Sequence, residues 1–338
     1  MLKLDRISKT YRVGTFGSKE LHAVSDVTFE VGPGEVVSLI GESGSGKSTI
    51  GKMILRLLPV GSGTITFDEV DISTLKNAAL KDYYRKVQGV FQDPFSSYNP
   101  IFKADRVLWL IRDEFYPEAS DAEWNERIRK ALRDVGLNPD QCLDCYPHHL
   151  SGGQLQRILI ARALLLDVKF LVADEIISML DASTRVDVLN LLADLKSRGL
   201  SILFITHDLS LGYYISERAV ILYRGCVVEM GATEKIFNRP LHPYTQMLMS
   251  SVPRLDRKWE SGTVEIDRKP TQFELSDGCA YYGRCPIADK NLGCDRFRPR
   301  LLEQDKDHFV ACYRHEKTAG LLEDTCVTAT STTSVASM

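Results

Sequence analysis

The sequence lacks long apolar runs and a strong charge of either sign. No stretch approaches the ~18 uncharged apolar residues that a membrane-spanning helix needs. Its 338 residues carry a net charge of −3, which gives no electrostatic signature for nucleic acid binding. Lys3, Asp5 and Arg6 stand where a signal peptide would need an apolar run. We therefore expect a soluble, cytosolic protein whose membrane role, if any, requires partner proteins.

Composition and length are those of an ordinary globular protein that can bury one large core and a smaller appendage. The chain has eight cysteines. In a reducing compartment, cysteines favour metal binding or simple burial over disulfides.

Residues 41 to 49 read Gly-Glu-Ser-Gly-Ser-Gly-Lys-Ser-Thr. An apolar strand pattern, residues 36 to 40, precedes them, and a helical pattern over residues 50 to 58 follows. A glycine-rich turn between a strand and a helix points successive backbone N–H groups at one phosphate. Lys47 is expected to reach the β- and γ-phosphates and Ser48 to hold Mg²⁺. The predicted nucleotide contacts in this loop are Gly41, Ser43, Gly44, Ser45, Gly46, Lys47, Ser48 and Thr49.

Polar side chains follow two further apolar segments. Residues 170 to 173 end at Asp174 and Glu175, and residues 201 to 205 end just before His207. Asp174 is expected to help hold Mg²⁺ from outside its direct ligands, and Glu175 to polarise an attacking water. Parallel strands with ligands at their carboxyl ends predict a doubly wound α/β fold.

Residues 95 to 149 have a helical pattern and predict an inserted helical lobe. The stretch 150 to 157 follows, in which Ser151 is a plausible N-cap and Gly152 and Gly153 expose backbone N–H groups. The spacing alone leaves two interpretations open: a second anion site, or an ordinary capped helix.

Together these features resemble an ABC transporter ATP-binding subunit over residues 1 to 250. Five motifs occur in the order that the family has: residues 41–49, Gln92, residues 150–157, Asp174 with Glu175, and His207. The sequence His242-Pro243-Tyr244-Thr245 and the cysteine-bearing extension resemble the oligopeptide/dipeptide permease branch. Members of that branch are importers with a solute-binding protein, two permeases and two ATPase subunits.

The resemblance assigns a role to each candidate residue. Tyr11, which in isolation favours ordinary packing at a strand edge, would stack on adenine. Gln92 would sense Mg²⁺ and the water, Glu175 would be the catalytic carboxylate, and His207 would contact the γ-phosphate. The signature residues of one subunit would complete the ATP site of the other in a head-to-tail dimer, and Asp181 would link the two sites. These signature residues are Ser151, Gly152, Gly153 and Gln154.

The resemblance also implies the architecture. We expect an α/β P-loop NTPase (RecA-like) core with an antiparallel β subdomain, spanning residues 1–250 and including a helical subdomain at residues 95–165. A small cysteine-bearing C-terminal extension, residues 251–326, and a disordered Ser/Thr-rich tail, residues 327–338, would follow.

One departure from the family pattern follows the acidic pair. Ile176 and Ile177 stand where the family usually has Pro-Thr, so the fixed proline turn is lost. This predicts a changed loop geometry and a changed rate, with ATPase activity persisting.

Cys279, Cys285, Cys294 and Cys312 lie in a short loop-rich segment, which favours a metal staple. They contain no C-x₂-C pair of a zinc ribbon. A [4Fe–4S] cluster, which the resemblance also implies, is the first choice, zinc the second, and unliganded thiols the third.

Another cysteine group is expected to hold no metal. Cys142 and Cys145 precede His148 and His149, but no second half of a metal site lies near them in sequence. Cys226 and Cys326 are interpreted as ordinary residues.

The expected partners are a second ATPase in a heterodimer, two transmembrane permeases at the cytoplasmic face of the cell membrane and, indirectly, a solute-binding protein. The helical lobe is expected to contact the permeases. Oligopeptides or dipeptides are the favoured cargo, with oligosaccharides or nickel as alternatives. A soluble ABC ATPase acting on ribosomes or DNA is the minor alternative, because the chain has one cassette, no heptads and no basic tail.

Overall fold

The computed structural model describes residues 1–13, 19–251 and 277–316, which form two sheets surrounded by helices. The strands are β1 (Leu2–Val13), β2 (Lys19–Val31), β3 (Val36–Ile40), β4 (Ser62–Phe67), β5 (Val70–Asp71), β6 (Val87–Val90), β7 (Phe170–Asp174), β8 (Ser201–Thr206), β9 (Arg218–Tyr223), β10 (Cys226–Ala232), β11 (Leu302–Asp305) and β12 (His308–Val310).

The larger sheet has the order β11-β12-β10-β9-β3-β8-β7-β6. Its strands from β9 to β6 are parallel, and β10, β12 and β11 continue it as antiparallel neighbours. Every residue of β3, β7 and β8 is buried, as expected for central strands covered on both faces. The smaller sheet, β2-β1-β4-β5, is antiparallel. The carboxyl ends of β3, β7 and β8 therefore share one edge.

The helices are α1 (Lys47–Ile54), α2 (Asn77–Lys86), α3 (Arg106–Phe115), α4 (Asp121–Asp134), α5 (Pro139–Cys142), α6 (Gly152–Leu164), α7 (Ala182–Ser197), α8 (Leu209–Ile215), α9 (Thr233–Asn238) and α10 (Pro243–Ser250). Helix α1 ends at Ile54, before the end of the helical pattern predicted over residues 50 to 58, because Arg56 adopts a left-handed backbone with φ 53°. Within the described residues, none of these helices has both the length and the apolarity to cross a bilayer.

Three apolar clusters hold these layers together. One lies between the helical lobe and the large sheet, with Trp124 fully buried, and a second fills the space between the two sheets. The third contains Tyr244 of α10 and Tyr281 and joins the extension to the cassette. The extension thus shares a core with the cassette and adds β11 and β12 to its sheet. The predicted tail, residues 327–338, and the predicted boundary near residue 252 lie outside the described residues.

Candidate nucleotide site

The glycine-rich loop joins β3 to α1 at the carboxyl edge of the large sheet. Gly46 has φ 104°, and a Cβ there would collide with the carbonyl oxygen of Ala23, so only glycine fits this helix start. Gly41 packs in the same way against the carbonyl oxygen of Leu222. The loop is therefore pressed between β2 and β9, with the N-terminus of α1 facing the cleft.

Lys47 and Ser48 begin α1 and connect the loop to β7. The Lys47 Nζ donates to the carbonyl oxygens of Gly41 at 2.7 Å and Glu42 at 2.9 Å. Burial lowers the pKa of Lys47, and the carboxylates of Glu175, Asp174 and Glu42 oppose that shift. The Ser48 hydroxyl donates to Asp174 Oδ1 at 3.2 Å. Two oxygen donors suited to Mg²⁺ thus stand together beside the loop.

Asp174 and Glu175 differ sharply although they are neighbours. Asp174 is buried, and that burial raises the pKa of its carboxyl. Glu175 has a left-handed backbone, φ 51°, which directs its side chain into the cleft. Its Oε1 lies 3.3 Å from His207 Nδ1, and the His207 side chain is 57% exposed. A carboxylate and an imidazole therefore meet at the open side of the cleft.

The loop after Glu175 is ordered without the proline that relatives of this type carry. Ile176 and Ile177 are almost fully buried. The Ser178 hydroxyl donates to the Glu175 carbonyl at 2.7 Å, and Arg185 Nε donates to the Leu180 carbonyl at 2.8 Å. Apolar packing and these hydrogen bonds thus hold the loop, and the change in its geometry relative to the family pattern stays a prediction.

The cleft itself has a volume of about 770 Å³. Its lining includes Tyr11, Ser43, Gly44, Gly46, Lys47, Ser48, Thr49, Gln92, Glu175 and His207. Gly41 and Ser45 are buried within the loop, and the buried Asp174 accepts from the Ser48 hydroxyl that lines the cleft. Tyr11 lies at the outer end of β1 with Lys9 Nζ 5.7 Å from its ring centroid. The structure therefore gathers most predicted contacts around one cleft.

The signature residues lie elsewhere on the chain. Ser151 caps α6, with its hydroxyl accepting from the Gln154 N–H at 3.2 Å and its own N–H donating to Gln154 Oε1 at 2.8 Å. Ser151, Gly153 and Gln154 line a separate cavity of about 360 Å³ that shares no lining residue with the first cleft. A side chain at Gly152 would have room, because a Cβ built there would stand 3.9 Å from Phe95 and from Leu180. Within one chain these residues do not complete the cleft.

Asp181 caps α7 and is fully exposed. Its Oδ1 accepts from the Thr184 N–H at 2.9 Å and the Ser183 hydroxyl at 2.7 Å. The Thr184 hydroxyl donates to Oδ2 at 2.9 Å. These hydrogen bonds lower the pKa of Asp181 to about 2.

The four cysteines of the extension line one cavity of about 20 Å³. Cys279 N–H donates to the Cys294 carbonyl at 2.9 Å, which brings two of them together. Burial raises the pKa of Cys279 to about 11 and raises the pKa of Cys285 and Cys312. Among residues 1–13, 19–251 and 277–316, no group of three or more His, Cys, Asp or Glu side chains is arranged to hold a metal ion. The four sulfurs converge, but not as a closed ligand set.

The remaining cysteines have other surroundings. Cys142 is buried in the core of the helical lobe, and Cys145 Sγ donates to the Gln141 carbonyl at 3.4 Å. Cys226 is buried at the start of β10. Cys326 lies outside the described residues.

Sequence reasoning missed three residues that contact the loop. The Tyr244 hydroxyl accepts from the Glu42 N–H at 2.9 Å, and Gly225 N–H donates to the Ser45 carbonyl at 2.8 Å. Arg284 binds the Glu42 carboxylate. Tyr244 belongs to the His-Pro-Tyr stretch that the sequence singled out, but no local pattern connects Arg284 with a residue 242 positions away.

The fold and this cleft define a P-loop ATPase cassette of the ABC type. The ABC transporter family model matches residues 24–178, and a model for the C-terminal region of oligopeptide/dipeptide transporters matches residues 228–294. The ATP-binding cassette MJ0796, solved as a dimer in a post-hydrolysis state bound to ADP and Pi, is 30% identical with a TM-score of 0.62. That match covers 69% of this chain and 99% of the cassette.

Relatives of known sequence extend over nearly the whole chain. A Brucella ovis protein, provisionally named a peptide import ATP-binding protein, is 40% identical over 93% of this chain and 98% of its own length. The oligopeptide transport ATP-binding protein AppF of Bacillus subtilis is 39% identical over 93% of this chain and 97% of its own length. The oligopeptide transport ATP-binding protein OppF of Haemophilus influenzae is 37% identical over 87% of this chain and 89% of its own length. The chain belongs to the ATP-binding proteins of the oligopeptide/dipeptide ABC transporter family and is an ATPase coupled to transport. This confirms the predicted family and fold class.

Proposed function

We propose that this ATPase drives the uptake of oligopeptides or dipeptides through a membrane ABC importer, working at the cytoplasmic face of the cell membrane. The observation that carries the proposal is the cleft between β3, β7 and β8, where the phosphate loop, Asp174, Glu175 and His207 meet. The peptide cargo is taken from the names of the relatives. The residues of the cleft serve nucleotide binding, and none of them identifies the cargo.

The proposed chemistry uses the residues at the sheet edge. The loop N–H groups and Lys47 bind the phosphates, and Tyr11 stacks on the adenine. Ser48, Gln92 and Asp174 would hold Mg²⁺, and the ion would neutralise phosphate charge. Glu175 polarises the attacking water, and His207, 3.3 Å away, orients that carboxylate and contacts the γ-phosphate.

We further propose that two ATPases share their sites. The signature residues line a cavity separate from the phosphate cleft, so a second cassette in head-to-tail orientation is needed to bring a signature to each cleft. Asp181, which caps the helix beside the signature, would connect the two sites. A heterodimer with a related ATPase is the favoured assembly.

The helical lobe is the proposed contact with the two permeases. Phe95, Ile101, Phe102 and Leu110 are exposed apolar side chains in this lobe. Phe95 also lies near the signature, since a Cβ built on Gly152 would stand 3.9 Å from its ring, and the lobe would act on the signature through this region. An apolar exposed group of this kind is typical of a protein contact.

The cysteine cavity is proposed to hold a thiolate-bound metal centre, a [4Fe–4S] cluster in first place and zinc in second. Four sulfurs from positions 279 to 312 line one cavity, which fits the donor set of either group. Iron and acid-labile sulfide should copurify with anaerobically prepared protein and be lost in Cys285→Ala. Zinc without iron would indicate a zinc site instead of the cluster. If neither metal copurifies, the four thiols are unliganded.

The importer assignment is tested by isolating the protein from its native cell in mild detergent. Two multi-span permeases and a second ATPase should accompany it, and an associated solute-binding protein then identifies the cargo by ligand assay. Oligosaccharide or nickel bound by that protein would replace the peptide assignment. Ribosomal or DNA-repair proteins without a membrane partner would overturn the importer while leaving the ATP site intact.

A further inference from the structure

The phosphate loop carries a carboxylate that the C-terminal extension neutralises. Arg284 Nη1 donates to Glu42 Oε2 at 2.9 Å, and Nη2 donates to Oε1 at 3.2 Å. This is a bidentate arginine–carboxylate pair, the geometry in which such pairs are strongest. It joins residues 242 positions apart, one in the loop and one directly before Cys285.

Arg284 is held for this contact. Its guanidinium lies 5.9 Å from the ring centroids of both Tyr223 and Tyr281, which is within cation–π range. Its side chain is only 23% exposed. The residue ends a short 3₁₀ turn in which Arg284 N–H donates to the Tyr281 carbonyl at 3.0 Å. Little rotamer freedom remains to be lost when Glu42 is bound.

Glu42 has a second partner that does not depend on charge. Its backbone N–H donates to the hydroxyl of the fully buried Tyr244 at 2.9 Å. The loop backbone is thus fixed by the cassette itself, through α10. Arg284 binds Glu42 through the carboxylate. The two roles are therefore separate: Tyr244 holds the Glu42 backbone, and Arg284 compensates the charge.

That charge matters because Glu42 lines the phosphate cleft together with Lys47 and Ser48. A free carboxylate there would repel the negative charges of a triphosphate. Two like charges a few ångströms apart repel each other under surface-like screening strongly enough to change an affinity severalfold or more. A cation bound to both carboxylate oxygens cancels most of this repulsion.

We propose that Arg284 is a positioning residue of the ATPase, which neutralises Glu42 and so makes ATP affinity at the phosphate loop depend on the C-terminal extension. The inference rests on the proposed assignment of this cleft as the ATP site. It gives the extension a role in nucleotide binding that is independent of whether its cysteines hold a metal.

The experiment measures the affinity of the full chain for MgATP, MgADP and adenosine by equilibrium titration. Arg284→Ala should weaken MgATP binding about tenfold, the scale of one partly screened charge interaction. The loss should be smaller for MgADP and absent for adenosine. Arg296→Ala, which removes an exposed arginine of the same segment that pairs only with Asp295 at 3.9 Å, is the matched control and should not change affinity.

The decisive variant is the double substitution. Glu42→Gln removes the charge that Arg284 compensates, so Glu42→Gln/Arg284→Ala should bind MgATP much more tightly than Arg284→Ala alone. A role confined to packing would give no such rescue. Arg284→Lys keeps the charge without the bidentate fork and should retain most of the affinity, and melting curves establish that each variant is folded.

Two results would overturn the inference while wild-type protein binds ATP: equal affinities of Arg284→Ala and Arg296→Ala, or a double variant as weak as Arg284→Ala. If the wild-type chain does not bind ATP at this cleft, the site assignment itself is wrong, and the inference falls with it. The two failures are therefore distinguishable.

Discussion

The large sheet carries two glutamate–histidine pairs whose surroundings are opposite. At the carboxyl edge of β7 and β8, Glu175 lies 3.3 Å from His207, and the imidazole is largely exposed. At the antiparallel side, Glu229 of β10 lies 2.7 Å from His308 of β12, and both side chains are buried. The residue types are the same, so the difference in role comes from what else contacts each carboxylate.

Both carboxylate oxygens of Glu229 are engaged in hydrogen bonds. Its oxygens accept from His308 Nε2 and from the backbone N–H groups of Leu241 and His242, both at 2.9 Å. The pair therefore fastens β10, the start of α10 and the extension strand β12 to one another. Glu175 faces the cleft with open space in front of it. Glu229 is structural because its oxygens are already hydrogen-bonded, whereas the accessible carboxylate of Glu175 is able to bind a water.

The largest effect is expected at the accessible pair. Glu175→Gln should lower the kcat of ATP hydrolysis by about 10²–10⁴, the usual contribution of a positioned general base, while nucleotide affinity and Tm change little. Single-turnover hydrolysis, ATP titration and a melting curve on the purified complex measure the three quantities. Unchanged hydrolysis would exclude Glu175 as the catalytic carboxylate, and a large drop in Tm would make it a structural residue like Glu229.

The two glutamate–histidine pairs also show which parts of the structure could be predicted from the sequence. The phosphate loop, the strand ends and the signature are short contiguous stretches, so their residues and local elements were predictable. The pairs Glu229–His308 and Glu42–Arg284 join residues 79 and 242 positions apart. A single glutamate or arginine has no periodicity that identifies its partner, and the pairing of β10 with β12 is itself a non-local event. The extension's attachment therefore required the structure.

The second effect concerns the buried pair. Glu229→Ala leaves His308 and two backbone N–H groups buried without their acceptor, and a buried group left unsatisfied in this way costs about 1–3 kcal/mol. The free energy of unfolding from urea titration measures it. Glu234→Ala, at an exposed position in the first turn of α9, is the control and should have little effect. Equal urea midpoints for the two variants would show that the pair does not fasten the extension.

The smallest effect is expected for Asp181, whose carboxylate is exposed but hydrogen-bonded. Its oxygens accept three hydrogen bonds, from the Thr184 N–H, the Ser183 hydroxyl and the Thr184 hydroxyl. These bonds lower its pKa to about 2 from an ordinary 3.8. Because the folded state favours the ionised form, the stabilisation is complete above pH 4 and is lost as the pH falls from about 4 towards 2.

Asp181→Ala should therefore lower the urea midpoint at neutral pH, and its difference from wild type should shrink between about pH 4 and pH 3. Asp181→Asn keeps an acceptor oxygen for the helix cap but has no carboxyl to titrate, so it separates capping from charge. Its stability should lack this pH-dependent component. If the stabilities of wild type and Asp181→Ala change in parallel across this pH range, hydrogen bonds do not stabilise the ionised form of the Asp181 carboxylate. The number of hydrogen bonds that a carboxylate accepts would then not be enough to distinguish the structural carboxylates of this fold from the accessible Glu175.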